Sequence, residues 1–162
     1  MIKNMDGNIF DSSANFIVHS YGNIGFMDDY IEENYPHVVK ESLKYIRHCK
    51  KNHIEMLESV QYIPTEVWPI GWVDTMKNNN VIAFDNPYQY IVNLFCQKNS
   101  EDGILTDLKA MKKVLTDIRE KAQDINATVA IPYKIGFGDW NNIYNLIKKV
   151  FEKSDIDVEI WR

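Results

Sequence analysis

Cysteine is nearly absent from this 162-residue chain: there are two, Cys49 and Cys96. One pair cannot make a disulfide framework, so the chain reads as a protein of a reducing, cytoplasmic compartment. Proline and glycine are scarce too, at five and seven. No repeat, low-complexity tract or obvious linker divides the sequence, so 1–162 reads as one domain, long enough to bury a core unaided. No apolar run reaches the roughly 18–20 residues of a membrane span, and the start, 1–13, lacks the apolar centre of a signal sequence. Positive charge is not in excess. Eighteen Lys plus Arg against 23 Asp plus Glu give a net charge of −5, which supplies no general attraction to nucleic acid.

Familiar chemistry is missing as well. There is no GxSxG elbow and no CxxC pair. His48 and His53 stand five apart beside Cys49, not at the i,i+4 spacing of a helical metal site, so they read as a solvated face and no metal is expected. His19 lies inside an apolar run and reads as a core histidine.

What is present is an alternation of strand-like and helix-like segments. Runs at 16–20, 90–95 and 127–132 are apolar and rich in β formers; 60–63 and 157–161 are weaker. Continuous rather than alternating apolar runs point to strands covered on both faces. Helical spacing runs over 106–123, with Leu108, Met111, Leu115, Ile118 and Ala122. It recurs over 141–153, with Ile143, Leu146, Ile147, Val150 and Phe151. The segment 35–51 places Val39, Leu43 and Ile46 on one face and Pro36 in the first turn, and 28–34 reads as a shorter helix. The order predicts an α/β domain with a mostly parallel sheet.

In such sheets ligands bind where strands lead into helices. Three connections qualify: 20–28, 95–106 and 132–142. In the last, Gly136 and Gly138 permit close backbone approach and a helix follows whose N terminus suits phosphate. A tight turn capped by Asp139 explains the same residues. Gly22 and Gly25 repeat the design after 16–20. Cys96 and Lys98 follow the strand 90–95 and are candidates for lining the cleft, with a buried thiol and a surface charge as their ordinary roles. Trp68, Trp72, Trp140 and Trp161 read first as packing residues.

Gly7-Asn8-Ile9-Phe10-Asp11-Ser12 followed by 16–20 resembles the opening of macro domains. So do 127–132 running into Tyr133-Lys134-Ile135-Gly136, then Asp139-Trp140 and 154–161. The middle, 73–80 and 90–97, is similar to a bacteriophage and bacterial branch near the terminal ADP-ribose protein glycohydrolases. The resemblance implies a mixed, mostly parallel sheet of about six strands between helices, binding ADP-ribose across the strand ends. It places Gly7, Asn8 and Ile9, with Trp161, near adenine. It places Ser20, Tyr21, Gly22, Asn23, Ile24 and Gly25 near the distal ribose and diphosphate. Ile135, Gly136, Phe137 and Gly138 would be a second phosphate loop.

Both loops are shorter than the family's, and Asp28 and Asp29 bring negative charge to the first. The family's catalytic lysine position falls at Gln97, one residue before Lys98, and Asp139 matches an Asp-Trp position rather than the family's acid. Asn23, Lys98 and Asp139 are therefore the weak catalytic candidates. Three readings stay open. The first is a reshaped pocket that holds an NAD-derived nucleotide without turnover and sequesters it, as phage counter-defence in the host cytoplasm would require. The second is an enzyme acting on ADP-ribosyl or ADP-ribose phosphate substrates. The third is an interaction protein without a pocket. None calls for a cofactor, a membrane or a nucleic-acid partner.

Overall fold

A computed structural model describes residues 1–21, 26–66, 89–101 and 103–162. Its elements, in chain order, are β1 (Ile2–Met5), a 3-10 turn (Ile9–Asp11), β2 (Phe16–Ser20), α1 (Phe26–Asn34), α2 (Pro36–Lys51), β3 (Ser59–Pro64), β4 (Tyr90–Phe95), β5 (Gln97–Ser100), β6 (Gly103–Thr106), α3 (Leu108–Ile125), β7 (Val129–Pro132), α4 (Trp140–Phe151) and β8 (Val158–Trp161). Six strands form one sheet in the order β1-β8-β7-β2-β4-β3. Every pairing is parallel except β3 with β4. This is the mostly parallel α/β sheet that the order of segments predicted, mixed as the resemblance implied.

The apolar runs explain the centre of that sheet. Every residue of β2 and β4 is buried, so both faces are covered. One face presents Phe16, Val18, Val92 and Leu94 to Met111, Leu115 and Ile118 of α3 and to Ile143 and Ile147 of α4. The other presents Ile17, Ile91 and Ala130 to Ile31 of α1, Val38 of α2 and the 3-10 turn. Each such side chain, when fully buried, contributes about 1.5–3 kcal/mol.

Several boundaries and faces depart from the sequence reading. The 95–106 connection is not a plain loop: it holds an antiparallel hairpin, β5 with β6. Strand β7 begins at Val129, not 127, because Asn126 turns left-handed to end α3 and the Ala127 amide still donates to Ala122 O at 2.8 Å. Leu108 is 45% exposed, since it opens α3 before the helix reaches the core. On α2 the fully buried positions are Val38, Ser42 and Cys49 rather than Val39, Leu43 and Ile46. The helix is rotated so that Ser42 meets a polar group of the sheet. Strand β1 and the 3-10 turn had no clear signal. Trp68, Trp72 and the 73–80 segment lie outside the described residues.

Candidate functional site

The parallel strands all end on one edge. Met5, Ser20, Phe95, Pro132 and Trp161 close β1, β2, β4, β7 and β8 there, and the expected ligand residues follow from these ends.

On the β1–β8 side, the Gly7 amide donates to Arg162 O at 3.1 Å. A Cβ at Gly7 would stand 3.7 Å from the Trp161 ring, so the indole lies against this turn. The indole Nε1 donates to Glu159 Oε2 at 2.8 Å, and Ser12 Oγ donates to the same oxygen at 2.6 Å. Glu159 therefore fixes the ring plane, a part the sequence reading had not given it. Asn8 caps the 3-10 turn, its Oδ1 accepting from the Phe10 amide at 3.0 Å. That leaves the carbonyl one further lone pair. Ile9 is buried beneath.

At the end of β2, Ser20 is 2% exposed and accepts from Gln97 Nε2 at 2.7 Å. Tyr21 stacks on Phe95, centroids 5.2 Å apart. Burial first, then the Asp28 charge, raises its phenol above the ordinary value. Beneath lies a buried polar row. His19 Nδ1 is 3.0 Å from Asn93 Oδ1, and Asn93 Nδ2 donates to Ser42 Oγ at 2.8 Å and Gln61 Oε1 at 3.3 Å. His19 is the core histidine its surroundings implied, with an added contact: its Nε2 stands 3.0 Å from Asp28 Oδ1. The oxygen lies off the line of the ring N–H, so the contact is an electrostatic pairing rather than a straight hydrogen bond. Gly22, Asn23, Ile24 and Gly25 lie outside the described residues.

The second glycine loop follows β7. Lys134, Gly136 and Gly138 have φ of 57°, 79° and 131°. Ile135 is buried. The Phe137 amide donates to Thr106 Oγ1 at 2.8 Å, and the Thr106 amide donates to Phe137 O at 3.0 Å. Gly136 fits so closely that a Cβ would stand 2.5 Å from Thr106 Oγ1. Among the described residues the Gly136 and Gly138 amides have no acceptor. Asp139 caps α4, its Oδ1 accepting from the Asn141 amide at 2.8 Å.

The fold superposes on a macrodomain protein from Streptomyces coelicolor with a TM-score of 0.73 at 18% identity, over 100% of this chain and 99% of that one. The macrodomain of Thermus aquaticus DarG matches at 0.65 and 14%, over 100% and 98%. The chain has the macrodomain fold. Thermosipho africanus DarTG, solved in complex with ADP-ribose, also matches, at 0.64 and 18%, over 99% of this chain and 41% of that one. No protein-family model and no curated protein matches the sequence.

On this macrodomain scaffold, the weak catalytic candidates fall apart in space or in role. Lys98 Nζ is 2.8 Å from Asp107 Oδ2, on a side chain 56% exposed. The Lys98 ammonium, with the Ala110 amide, holds the Asp107 carboxyl below its ordinary range. It is Gln97 that reaches Ser20, as the one-residue alternation of a strand requires. Asp139 is occupied as a cap. A cavity of about 370 Å³ opens beside the hairpin, lined by Glu55, Leu57, Gln97, Lys98, Asn99 and Ile104. None of the named strand-end residues lines it, its link to them being Gln97, the donor to Ser20, and it has no glycine loop, so it is separate from the site. Cys96 is fully buried. Burial pushes its thiol up to about 11, partly offset by its hydrogen bond with Ser20. Among the described residues there is no group of three or more His, Cys, Asp or Glu able to hold a metal, and no helix long and apolar enough to cross a membrane.

Proposed function

We propose that this chain, as one macro-like unit over 1–162, holds an ADP-ribose-type nucleotide across the carboxyl ends of its parallel strands. The observation that carries the reading is the loop between β7 and α4. Gly136 and Gly138, both at positive φ, keep amides that have no acceptor among the described residues, just ahead of a helix. Such a loop suits a diphosphate, because several N–H dipoles and the helix end favour negative charge at one place. Adenine is assigned to the turn at Gly7, Asn8 and Ile9 beside Trp161. The second ribose is assigned to the end of β2 at Ser20 and Tyr21. The DarTG structure with ADP-ribose, on the same fold, supports this ligand class.

The proposed role is holding without cleavage. Gln97 is neutral, Lys98 is paired with Asp107, and Asp139 is used as a cap. A binder of this kind withdraws an NAD-derived nucleotide from solution, and in a phage-borne protein that would blunt a host signal. Isothermal titration with ADP-ribose tests the reading. Micromolar binding, about −8 kcal/mol, with no release of ADP-ribose from ADP-ribosylated protein or nucleic acid, supports it. Turnover lost on changing Asn23 would replace it with the enzyme reading. No heat with any nucleotide at millimolar concentration would leave the interaction-protein reading.

A further inference from the structure

The buried row beneath the end of β2 has a direction fixed by its donors. Ser42 Oγ donates to Val38 O at 2.8 Å, so it accepts from Asn93 Nδ2. Asn93 also donates to Gln61 Oε1, so its own Oδ1 is left to accept. His19 Nδ1 must then carry a hydrogen. The ring's other nitrogen faces Asp28 Oδ1 at 3.0 Å. A carboxylate this close to a bare lone pair is repelled, so the contact is favourable when Nε2 carries a hydrogen too, even though that N–H does not point straight at the oxygen. His19 is 5% exposed, whereas the Asp28 side chain is 38% exposed. Among the described residues, the groups around the ring are Asp28 from α1, the Tyr21 phenol from the end of its own strand, and the uncharged Asn93 of β4, Ser42 of α2 and Gln61 of β3.

This matters because Asp28 and Asp29 open α1, at the strand edge assigned to an anionic ligand. We propose that His19 and Asp28 form a charge-compensating clasp between the end of β2 and the start of α1, which makes this acidic helix start compatible with a bound diphosphate. His19 is then a positioning residue: it acts on the ligand through Asp28. The proposal rests on the nucleotide-binding reading for its ligand, while the clasp itself stands on the geometry.

The test is a double-mutant cycle on the full chain with His19→Gln, Asp28→Asn and the pair together. Two quantities are read: the unfolding equilibrium in urea and the affinity for ADP-ribose. The clasp predicts that the two changes are coupled in the unfolding equilibrium by more than about twofold, as for residues in direct contact. It also predicts that His19→Gln weakens ADP-ribose and that adding Asp28→Asn restores the affinity, a rescue that mere structural damage does not give. Additive unfolding effects overturn the clasp. Coupled unfolding without rescue of affinity overturns its role toward the ligand. If the wild-type chain binds no ADP-ribose, the nucleotide reading fails, and the urea cycle alone still decides whether the clasp exists. Asp28→Lys serves if His19→Gln does not fold. It adds positive charge at an anion site but sets it against the ring, so the clasp predicts lower stability and weaker binding. Tighter binding at unchanged stability overturns the proposal.

Discussion

Thr106 and Phe137 hold each other by two hydrogen bonds, the Thr106 amide to Phe137 O and the Phe137 amide to Thr106 Oγ1. The pair stitches the end of the β5–β6 hairpin to the glycine loop after β7. It also commits the Phe137 amide, so any anion in that loop is left the amides of the glycines on either side. Thr106→Val removes the acceptor and keeps the shape. It should cost about 1–3 kcal/mol in urea unfolding, because a half-buried amide loses its partner. ADP-ribose affinity measured by calorimetry should fall with it. Gly136→Ala meets Thr106 Oγ1 directly and places a Cβ at φ 79°. A loss of about 1–3 kcal/mol or more is expected from the strained backbone and the clash.

Asp139 offers a clean separation of cap from catalyst. Asp139→Ala should lower stability by about 1 kcal/mol, the usual worth of an N-cap. Asp139→Asn keeps an acceptor and should retain most of that stability. If any turnover is found, it should survive in Asp139→Asn. Abolished turnover with an intact melting curve would make Asp139 an acid after all.

Lys98 is expected to be dispensable. Its pair with Asp107 lies in solvent, and such pairs contribute about 0–1 kcal/mol. Lys98→Ala should leave nucleotide affinity unchanged and move the urea midpoint little. Gln97→Ala, one residue earlier, removes the donor to buried Ser20 and should weaken binding. A reversed order of these two effects would show that the strand's alternation had been misread.

The polar row in the core should be unforgiving. Asn93→Ala strands His19 Nδ1 and removes a donor from both Ser42 and Gln61. Two buried groups left unsatisfied, plus a cavity, predict a loss of about 2–5 kcal/mol. Urea denaturation checks this.

Alkaline pH should destabilise the fold. Burial raises the Cys96 thiol to about 11 from its ordinary 9.0, and burial followed by the Asp117 charge raises Tyr62 as well. Above the ordinary thiol value the unfolded chain loses a proton that the folded chain keeps. The folded state then binds more protons, so stability falls with rising pH. For Cys96 the contribution is fully present below pH 9.0 and disappears as pH rises towards about 11. Urea midpoints across that interval should decline in the wild type and decline less in Cys96→Ala. At neutral pH Cys96 should react with thiol reagents only after unfolding.

The parts of the fold that were legible are those where one physical signal dominates. β2 and β4 are unbroken apolar runs because both faces are covered. The Ile143, Ile147, Val150 stripe of α4 survives intact. What escaped was set by partners rather than pattern. β5, with Gln97, Lys98, Asn99 and Ser100, carries no apolar signature, since its hairpin stands mostly in solvent. The buried face of α2 was misread because Ser42 is polar and is held inward by Asn93. At the candidate site, the glycine loop announced itself, but the commitment of Phe137 to Thr106 and of Trp161 to Glu159 depends on residues distant in sequence. Gly22, Asn23, Ile24 and Gly25 lie outside the described residues, so their expected roles remain proposals.

Strand β1 lies beside β8, pairing from Ile2 with Val158 to Met5 with Trp161. One bond at that seam, from the Met1 amine to Ile156 O, joins residues 155 positions apart. Among the described strands β1 pairs with β8 alone, so during synthesis it waits for that mate until β8 leaves the ribosome. Contacts between such distant segments form slowly, because a long loop must close before any pairing repays it. Throughout that wait β1 is a bare edge, open to other nascent chains. Its exposed Lys3 and Asn4, which hid the strand from pattern reading, are the residues that discourage such mispairing.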